Sequence, residues 1–412
     1  MKIKANILMI LVLTCLLLST CIGIAINKNI NTETDVIEEP IVEEPTVKDY
    51  KGIIINDSNV PSDVLNTITD YFNVYYSSLA AMQEFDASAL FSNEVYKQYA
   101  ANSLKLMLET RKQYDFDFGM SKASYDLNIV DYENRDGKYY VTLLQDEHLC
   151  FNFLNGIESE CFEVRCEFVL DSNYLISYFF KEQGFFNIFM EEGEQLSVAK
   201  LNEKYDYYLD RLTKQITYNN SVLKHAAANE NYRSEKTFNT TYDRNAAVAY
   251  LDKYYHQRNK QWYDFSDEGG NCQNLASQAL YAGGIPMDYE GEQQWKCYII
   301  DPEFDPEVNE EEEDSGRSRS WVNVGYFYDY ALANTGRGLV AENDVNIYYS
   351  EPGDIIQVGL GSLSHTTMVS KVVDGHILVS SNSIDTKDYP IEAYNYTDIK
   401  LIKILGYNKW TN

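Results

Sequence analysis

A cysteine one residue after a pair of glycines is the clearest candidate for chemistry in this chain. The segment GGNCQNLASQALYAGG spans 269–284, and Cys272 lies where a short helix should begin. Asn271 is a good N-cap residue, and the glycine pair that ends the segment is typical of a helix terminus. Free N–H groups and the helix dipole favour a thiolate in the first turn. Cys272 is therefore a candidate nucleophile.

A cysteine nucleophile needs a general base, and hairpin geometry selects one of the five histidines. His365 precedes a predicted turn at Asp374-Gly375. With a two-residue turn, Asn382 lies diagonal to His365 on the same sheet face, ~7–8 Å away at Cα. His376 lies about 20 Å from Asn382 along the strand, which excludes it. We predict Cys272 as nucleophile, His365 as general base and Asn382 as the residue that orients the imidazole.

Two further expectations accompany this triad. A β-bulge would shift the hairpin register and bring Ser383 or Asp385 into reach of the histidine instead. The N–H groups at the helix start, including that of Cys272, are expected to stabilise the oxyanion of an acyl-transfer reaction.

The second half of the chain resembles a known family. The ordered motifs YDRNAAVAYLDKYYHQRNKQWYDFSDEGGNCQNLASQALYAGGIPMD, SWVNVGYFYDYAL, PGDIIQVG, SHTTMVS and DTKDYP are similar to the putative amidase domain of Gram-positive bacteria, a relative of papain-like cell-wall cysteine hydrolases. The resemblance covers about 241–407. It implies a cysteine amidohydrolase whose nucleophile-bearing helix packs on a small antiparallel sheet. The family usually has Asp-Cys-Thr-Asn-Phe around the cysteine, whereas this chain has Asn-Cys-Gln-Asn-Leu.

Three residues are predicted to bind substrate. Asn271 adjoins the nucleophile, and Trp295 and Trp321 flank an acidic insertion at 301–320, where they could line a groove. The insertion lacks the glycine that an EF-hand-like loop starting at Asp301 would need, so a solvated loop is favoured over a calcium site. We predict no metal and no cofactor.

The first half of the chain has the pattern of a smaller α+β domain. Apolar residues recur with helical period from Leu65 to Leu79, and further helices are predicted near 93–110 and 201–216. Strand-like segments lie between these helices. Helices followed by a curved antiparallel sheet resemble the cone-shaped fold of nuclear-transport-factor-like domains, which implies no activity. The predicted fold class is α+β, with a papain-like cysteine hydrolase domain after the smaller cone-like domain.

The N-terminus carries a targeting signal. Lys2 and Lys4 precede an uncharged run from Ile7 to Ile26, whose 20 residues match the ~20 needed to span a bilayer. A cleaved signal peptide and a lipoprotein site at Cys21 are alternatives. The predicted organisation is a membrane anchor or signal (1–26), an acidic disordered stalk (27–58), the first α+β domain (59–217), a linker (218–240) and the amidase-like domain (241–412).

Net charge excludes some classes of binding partner, and the cysteine spacing suggests a disulfide. The net charge of −29 argues against binding to nucleic acid and to anionic lipid. A hairpin at Asn155-Gly156 would place Cys150 opposite Cys161, within reach of a disulfide.

We therefore predict an exported protein on the outer face of the membrane or in the cell wall. It would be a cysteine amidase or peptidase acting on peptidoglycan peptides. A catalytically inactive wall-binding or assembly module is the alternative, and acyl transfer would use the same residues.

Overall fold

The computed structural model describes residues 46–190, 195–228, 232–290, 293–297 and 316–409. The predicted membrane segment, the stalk up to residue 45 and the acidic insertion up to residue 315 lie outside these ranges. None of the helices in the described ranges is long and apolar enough to cross a bilayer. Lys51–Ile55, predicted as stalk, forms strand β1 and pairs in parallel with the next strand of the sheet.

The N-terminal region packs helices against an antiparallel sheet. The helices are α1 (Ser62–Ala81) and α2 (Glu94–Arg111), and the strands are β2 (Met120–Arg135), β3 (Lys138–Phe151), β4 (Ser159–Leu170) and β5 (Ile176–Lys181). The helical period predicted from the sequence is confirmed, because Ile68, Phe72, Tyr75 and Leu79 of α1 are all buried. Phe72 packs edge-on against Phe168 of β4, so aromatic side chains fill this core.

A long helix follows the N-terminal sheet. After the short helix α3 (Gly184–Asn187), helix α4 runs from Val198 to Ala228 and packs against α2. The sequence predicted a helix over 201–216 and a linker over 218–240. The structure instead continues the helix through the first part of that linker. Residue Thr240 then forms an antiparallel bridge with Tyr407, so the chain is already attached to the C-terminal sheet at this point.

The C-terminal region places four helices against six strands. The helices are α5 (Arg244–Tyr254), α6 (Cys272–Ala282), α7 (Arg319–Val322) and α8 (Val324–Ala333); the strands are β6 (Gly338–Val345), β7 (Ile355–Gly359), β8 (Leu363–Val373), β9 (His376–Ser381), β10 (Asp385–Pro390) and β11 (Asp398–Asn408). Helix α6 packs against α5 and β8. Its small residues Ala276 and Ala279 are buried, which permits this close approach.

One continuous sheet joins the two regions. Its strand order is β1-β2-β3-β4-β10-β9-β8-β7-β11-β6, with β5 beside β4. The junction is the antiparallel pairing of β4 with β10, where Thr386 lies opposite Cys161. Leu378 and Tyr389 of the C-terminal region belong to the N-terminal hydrophobic core. The fold is thus a mixed α/β architecture built on a single large sheet.

The predicted pairing of Cys150 with Cys161 is wrong. A 3-10 helix, Asn152–Leu154, lengthens the connection between β3 and β4, so Cys161 lies opposite Glu147. Both cysteines are free and buried. A longer loop changes the hairpin register, and with it every cross-strand partner.

Candidate functional site

Helix α6 begins at Cys272, as the sequence predicts. The chain reaches the helix through Gly270, whose φ of 116° is accessible to glycine and strained for other residues. A Cβ atom at this glycine would lie 3.1 Å from Oγ of Ser383. The N–H of Asn271 donates to the same hydroxyl at 2.7 Å. Ser383 therefore fixes the loop that delivers the cysteine to the helix start.

Cys272 is almost fully buried, with 8% of its surface exposed. Burial by itself raises the pKa of its thiol. The charge and hydrogen bond of His365 oppose this effect, and so do the backbone N–H groups of Thr366 and Gln273, so the net result is a pKa below the ordinary value. These interactions all favour the thiolate, which is the nucleophilic form of cysteine.

The other cysteines of the described ranges have thiol pKa values above the ordinary value. Burial raises the pKa of the Cys166 and Cys297 thiols to about 12 and raises those of Cys150 and Cys161 as well. Within the described ranges, a lowered thiol pKa therefore distinguishes Cys272 from the structural cysteines.

His365 is held by Ser381. The imidazole lies on β8, and its Nε2 is 3.1 Å from Oγ of Ser381 on β9. Since this nitrogen is occupied by the serine, Nδ1 is the ring atom left for Cys272. His376, excluded by the hairpin geometry, instead packs between Phe116 and Phe153 of the N-terminal region.

Asn382 forms no hydrogen bond with the histidine, in contrast to the prediction. The Asp374-Gly375 turn forms as expected, but the register of β8 and β9 shifts between Val369 and Lys371. Ser370 lies at this bulge and donates to Oδ1 of Asp388 at 2.8 Å. Because side chains alternate between faces, a one-residue shift exchanges Asn382 for Ser381 beside the imidazole.

The displaced asparagine is left without a polar partner. Asn382 is 1% exposed, and neither Oδ1 nor Nδ2 of its amide forms a hydrogen bond among the described residues. The bulge considered in the sequence analysis does occur. The residues expected from it have other partners: Ser383 holds the loop before Cys272, and Asp385 contacts His256 and Arg258.

A chain of hydroxyl groups continues from His365 into the protein. Ser381 Oγ lies 3.1 Å from Oγ1 of Thr386, which lies 3.0 Å from the phenol oxygen of Tyr394. Burial raises the pKa of Tyr394 to about 12, so its phenol is neutral near pH 7. The imidazole is thus oriented by neutral dipoles rather than by a carboxylate.

The residues on either side of Cys272 form structural contacts. Asn271 occupies the N-cap position, but its Oδ1 accepts from the Phe265 N–H and from Asn274 instead of capping the helix. Gln273 is fully buried, and its Oε1 accepts from Thr366 Oγ1 at 2.8 Å. The bond between Gln273 and Thr366 ties α6 to the strand that carries His365.

Both tryptophans predicted to bind substrate lie in the core. Trp295 and Trp321 have no exposed surface, and their ring centroids are 4.6 Å apart. Trp295 Nε1 donates to Ser277 and Trp321 Nε1 donates to Asn274, so both indoles are tied to α6. This corrects the prediction that they line a groove. The prediction relied on the position of the two tryptophans beside the insertion, and position in the sequence does not reveal whether a side chain is buried.

Comparison with known proteins found similarity in the C-terminal part of the chain, which contains Cys272 and His365. Residues 241–405 match the family of the putative amidase domain. The resemblance seen in the motifs is thereby confirmed for the C-terminal region. The uncharacterized protein YhbB of Bacillus subtilis (strain 168) is 32% identical over 164 residues, which cover 38% of this chain and 45% of that protein. No solved structure matches the chain significantly.

Two cavities lie near the candidate nucleophile in the described part of the chain. One cavity, of about 480 Å³, borders Gly269 and Gly270 just before Cys272 and also contacts Arg317 and Arg319. The other, of about 570 Å³, is lined by His365, Thr386 and Tyr394. We call the second the histidine cavity. Since the candidate base His365 lies in its wall, the histidine cavity borders the candidate site.

Two clusters near the β4–β10 junction have the composition of metal sites. They are His148 with Glu158 and Glu160, and Glu163 with His256 and Asp385, each with ligand atoms within 4.8 Å of one another. Lys122 binds Glu158, and Arg258 binds Asp385 at 2.8 Å. These cations already neutralise carboxylates in each cluster, so neither cluster needs a metal ion for charge balance.

Sequence reasoning missed Ser381 and the N-terminal contribution to the histidine cavity. Ser381 lies beside the predicted Asn382, and only knowledge of the bulge would have selected it. Met107, Arg111 and Tyr208 line the histidine cavity together with residues of the C-terminal region. Their proximity follows from the shared sheet, for which the sequence has no local signal.

Proposed function

We propose that this protein hydrolyses amide bonds with Cys272 as the nucleophile and His365 as the general base. The observation that carries the proposal is the hydrogen bond between the buried Cys272 thiol, at the start of α6, and the His365 imidazole on β8, the strand against which α6 packs. Burial raises the pKa of the thiol, but the charge and hydrogen bond of His365 help to hold it below its ordinary value. A buried cysteine without such a base would have a raised pKa, as Cys166 has. The match to an amidase family supports the reaction class.

The reaction follows from the positions of the two groups. His365 accepts the thiol proton, and the Cys272 thiolate attacks the amide carbonyl carbon to form a tetrahedral oxyanion. The N–H of Cys272 in the first turn of α6 is positioned to stabilise that oxygen. The imidazolium then protonates the leaving amine, which departs and leaves a thioester on Cys272.

The second half of the reaction releases the acyl group. His365 removes a proton from water, and the resulting hydroxide attacks the thioester carbon. The carboxylic acid is released and the thiol is restored. Ser381 takes the orienting role in this proposal, because it holds Nε2 of the imidazole through both steps. We further propose that the amidase domain has the helix-on-sheet arrangement of papain-like enzymes.

The proposed substrate is a peptide of the bacterial cell wall, reached after export. Support for this comes from the sequence: a positively charged start, the apolar run at 7–26 and an acidic segment after it. The N-terminal segment would keep the catalytic region at the outer face of the membrane. YhbB from Bacillus subtilis is consistent with a bacterial source for this domain.

The decisive experiment is incubation of full-length protein with purified peptidoglycan, followed by quantification of new amino groups. We expect release by the wild type and none by Cys272→Ala. Addition of an amine acceptor separates hydrolysis from acyl transfer, since transfer would yield a new amide. If Cys272→Ala retains every measurable effect on the wall, the protein is instead a binding module.

A further inference from the structure

Arg111 is a buried cation that forms no ion pair in the described part of the chain. It lies at the end of α2 with 3% of its surface exposed, and its Nε and Nη1 atoms form no hydrogen bond within the described residues. No ion pair within 4.0 Å is formed by its guanidinium in those ranges either. The rings of Phe118 and Phe151 lie 5.4 and 5.7 Å from it. A buried guanidinium without an acceptor is costly, so its retention calls for a ligand.

Arg111 lines the histidine cavity. Its wall has two halves: α2, the α3 segment and Tyr208 from the N-terminal region, and the β7–β8 and β10–β11 connections from the amidase domain. His365 stands in the same wall. The volume of about 570 Å³ lies within the ~300–1,000 Å³ range of ordinary ligand pockets.

The residues that line the histidine cavity favour binding of an anion. They include no aspartate or glutamate among the described residues, although the chain has 63 acidic residues and a net charge of −29. Asn395 Nδ2, a second buried donor without a hydrogen-bond partner in the described ranges, lies in the same wall. The wall thus contains two residues with unsatisfied donors, and a carboxylate is an acceptor that could satisfy them.

Nearby carboxylates do not take this role. Glu147 is bound by Lys181 at 2.7 Å and by the Tyr76 hydroxyl at 2.8 Å. Burial raises the pKa of the Glu147 carboxyl, and Lys181, the Tyr76 hydroxyl and, from beyond ion-pairing distance, the Arg111 charge lower it. Glu392 borders a much smaller cavity together with Arg111, and its Oε1 lies 3.4 Å from Nδ1 of His376. Neither oxygen of this carboxylate forms a hydrogen bond among the described residues. Neither glutamate is within ion-pairing distance of Arg111.

We propose that Arg111, with Asn395, binds a free carboxylate of the substrate in the histidine cavity. The substrate class is then a peptide amide that carries a carboxylate near the bond to be cleaved. This inference rests on the proposed amidase function. In this proposal the N-terminal region contributes the residues that determine substrate specificity.

The test measures binding separately from cleavage. Full-length Cys272→Ala is titrated by calorimetry with tetrapeptides that carry glutamate at one position, and with matched peptides that carry glutamine there. We expect at least one glutamate peptide to bind tenfold or more tightly than its glutamine partner. Adding Arg111→Met should abolish the difference and Arg111→Lys should keep part of it. Arg135→Met, an exposed arginine of the same region, should keep all of it.

The outcomes separate this inference from the proposed function. Binding that depends on Arg111, without any cleavage by the wild type, would support the carboxylate site and contradict the amidase. Cleavage of glutamate and glutamine peptides at equal rates, with equal binding, would overturn the carboxylate site and leave the amidase standing.

Thermal unfolding distinguishes ligand recognition from a structural role. An arginine kept for ligand binding can be replaced by methionine without lowering the melting temperature, because the variant no longer buries an unpaired charge. A structural role would lower the melting temperature and would weaken binding of both peptides alike. If Glu392→Gln and Arg111→Met are strongly non-additive in stability, the two residues are partners, which would also overturn the proposal.

Discussion

Ser381 lies 3.1 Å from His365, at the position where an unbulged hairpin would place Asn382. The replacement arises at Ser370, whose hydroxyl bonds Asp388 and the carbonyl of Leu378 across the bulge. One extra residue in β8 thus changes which side chain can orient the imidazole. The candidate site of this protein depends on that single shift in register.

The first prediction compares two adjacent residues. Ser381→Ala removes the partner of Nε2, so the imidazolium becomes less stable and supports the Cys272 thiolate less well. We expect amide hydrolysis to fall about tenfold, the size of one hydrogen bond worth about 1.4 kcal/mol. We also expect the pH midpoint of Cys272 alkylation to move upward. Stopped-time reactions with iodoacetamide at several pH values measure this midpoint.

Asn382→Leu is the matched control for the serine variant. Its amide is buried and forms no hydrogen bond in the described residues, so an apolar residue of similar size removes only a desolvation cost. The melting temperature should stay the same or rise, and the alkylation midpoint should not move. A loss of activity for Asn382→Leu that exceeds that for Ser381→Ala would restore asparagine as the orienting residue.

The second prediction concerns selective labelling of Cys272. Its pKa lies below the ordinary value of 9.0, so the thiolate, and with it the alkylation rate, develops at lower pH than in the unfolded chain. Among the described cysteines, Cys272 should be the first one modified at pH 7, as mapped by mass spectrometry. His365→Gln leaves the effect of burial opposed only by the backbone N–H groups of Thr366 and Gln273, and should slow labelling at least tenfold. Equal labelling of Cys297, whose pKa is raised to about 12, would contradict this view.

The third prediction addresses the buried indoles. Trp321 has no exposed surface, stacks on Trp262 with centroids 5.2 Å apart and donates to Asn274. Trp321→Ala should therefore lower the free energy of unfolding by about 3–5 kcal/mol. Denaturant titration followed by circular dichroism measures the loss. Trp321→Phe keeps most of the packing and should cost less; an unchanged stability with a raised KM would instead place Trp321 in a substrate groove.

The fourth prediction concerns the buried ion pair of the N-terminal region. Lys181 and Glu147 are 1% and 2% exposed at the side chain and 2.7 Å apart. Burial alone would raise the pKa of Glu147, but the Lys181 charge and hydrogen bond, with the Tyr76 hydroxyl, hold it below its ordinary value. Lys181→Met leaves the carboxylate unpaired and should cost about 3–5 kcal/mol of unfolding free energy.

The same pair predicts how stability changes with acid. A carboxyl group whose pKa is depressed by folding contributes stability that is complete above its unfolded pKa, here 4.5, and is lost as the pH falls through the folded value. Wild-type stability should therefore decline below about pH 4.5. The double variant Lys181→Met, Glu147→Leu lacks this contribution and should show a weaker decline. If the free energy of unfolding declines equally with falling pH in the wild type and in the double variant, the ion pair is not the source of the acid sensitivity.

Local patterns in the sequence determined the helices and the identity of the reactive pair. The helical period around Phe72, the glycine pair before Cys272 and the Asp374-Gly375 turn each act over a few residues, and each formed as predicted. Cys272 and His365 were selected because a helix start and a hairpin strand are defined by such short-range signals.

The tertiary structure decided everything that depends on register and on long-range pairing. The bulge at Ser370 is stabilised by Asp388, a residue on another strand, so its location cannot be deduced from β8 alone. The pairing of β4 with β10 joins residues more than two hundred positions apart and brings Arg111 to the cavity of His365. Side chains alternate in a sheet, so one shifted residue replaces Asn382 by Ser381. The sequence determined the candidate nucleophile and the candidate base, and the contacts between distant strands determined what surrounds them.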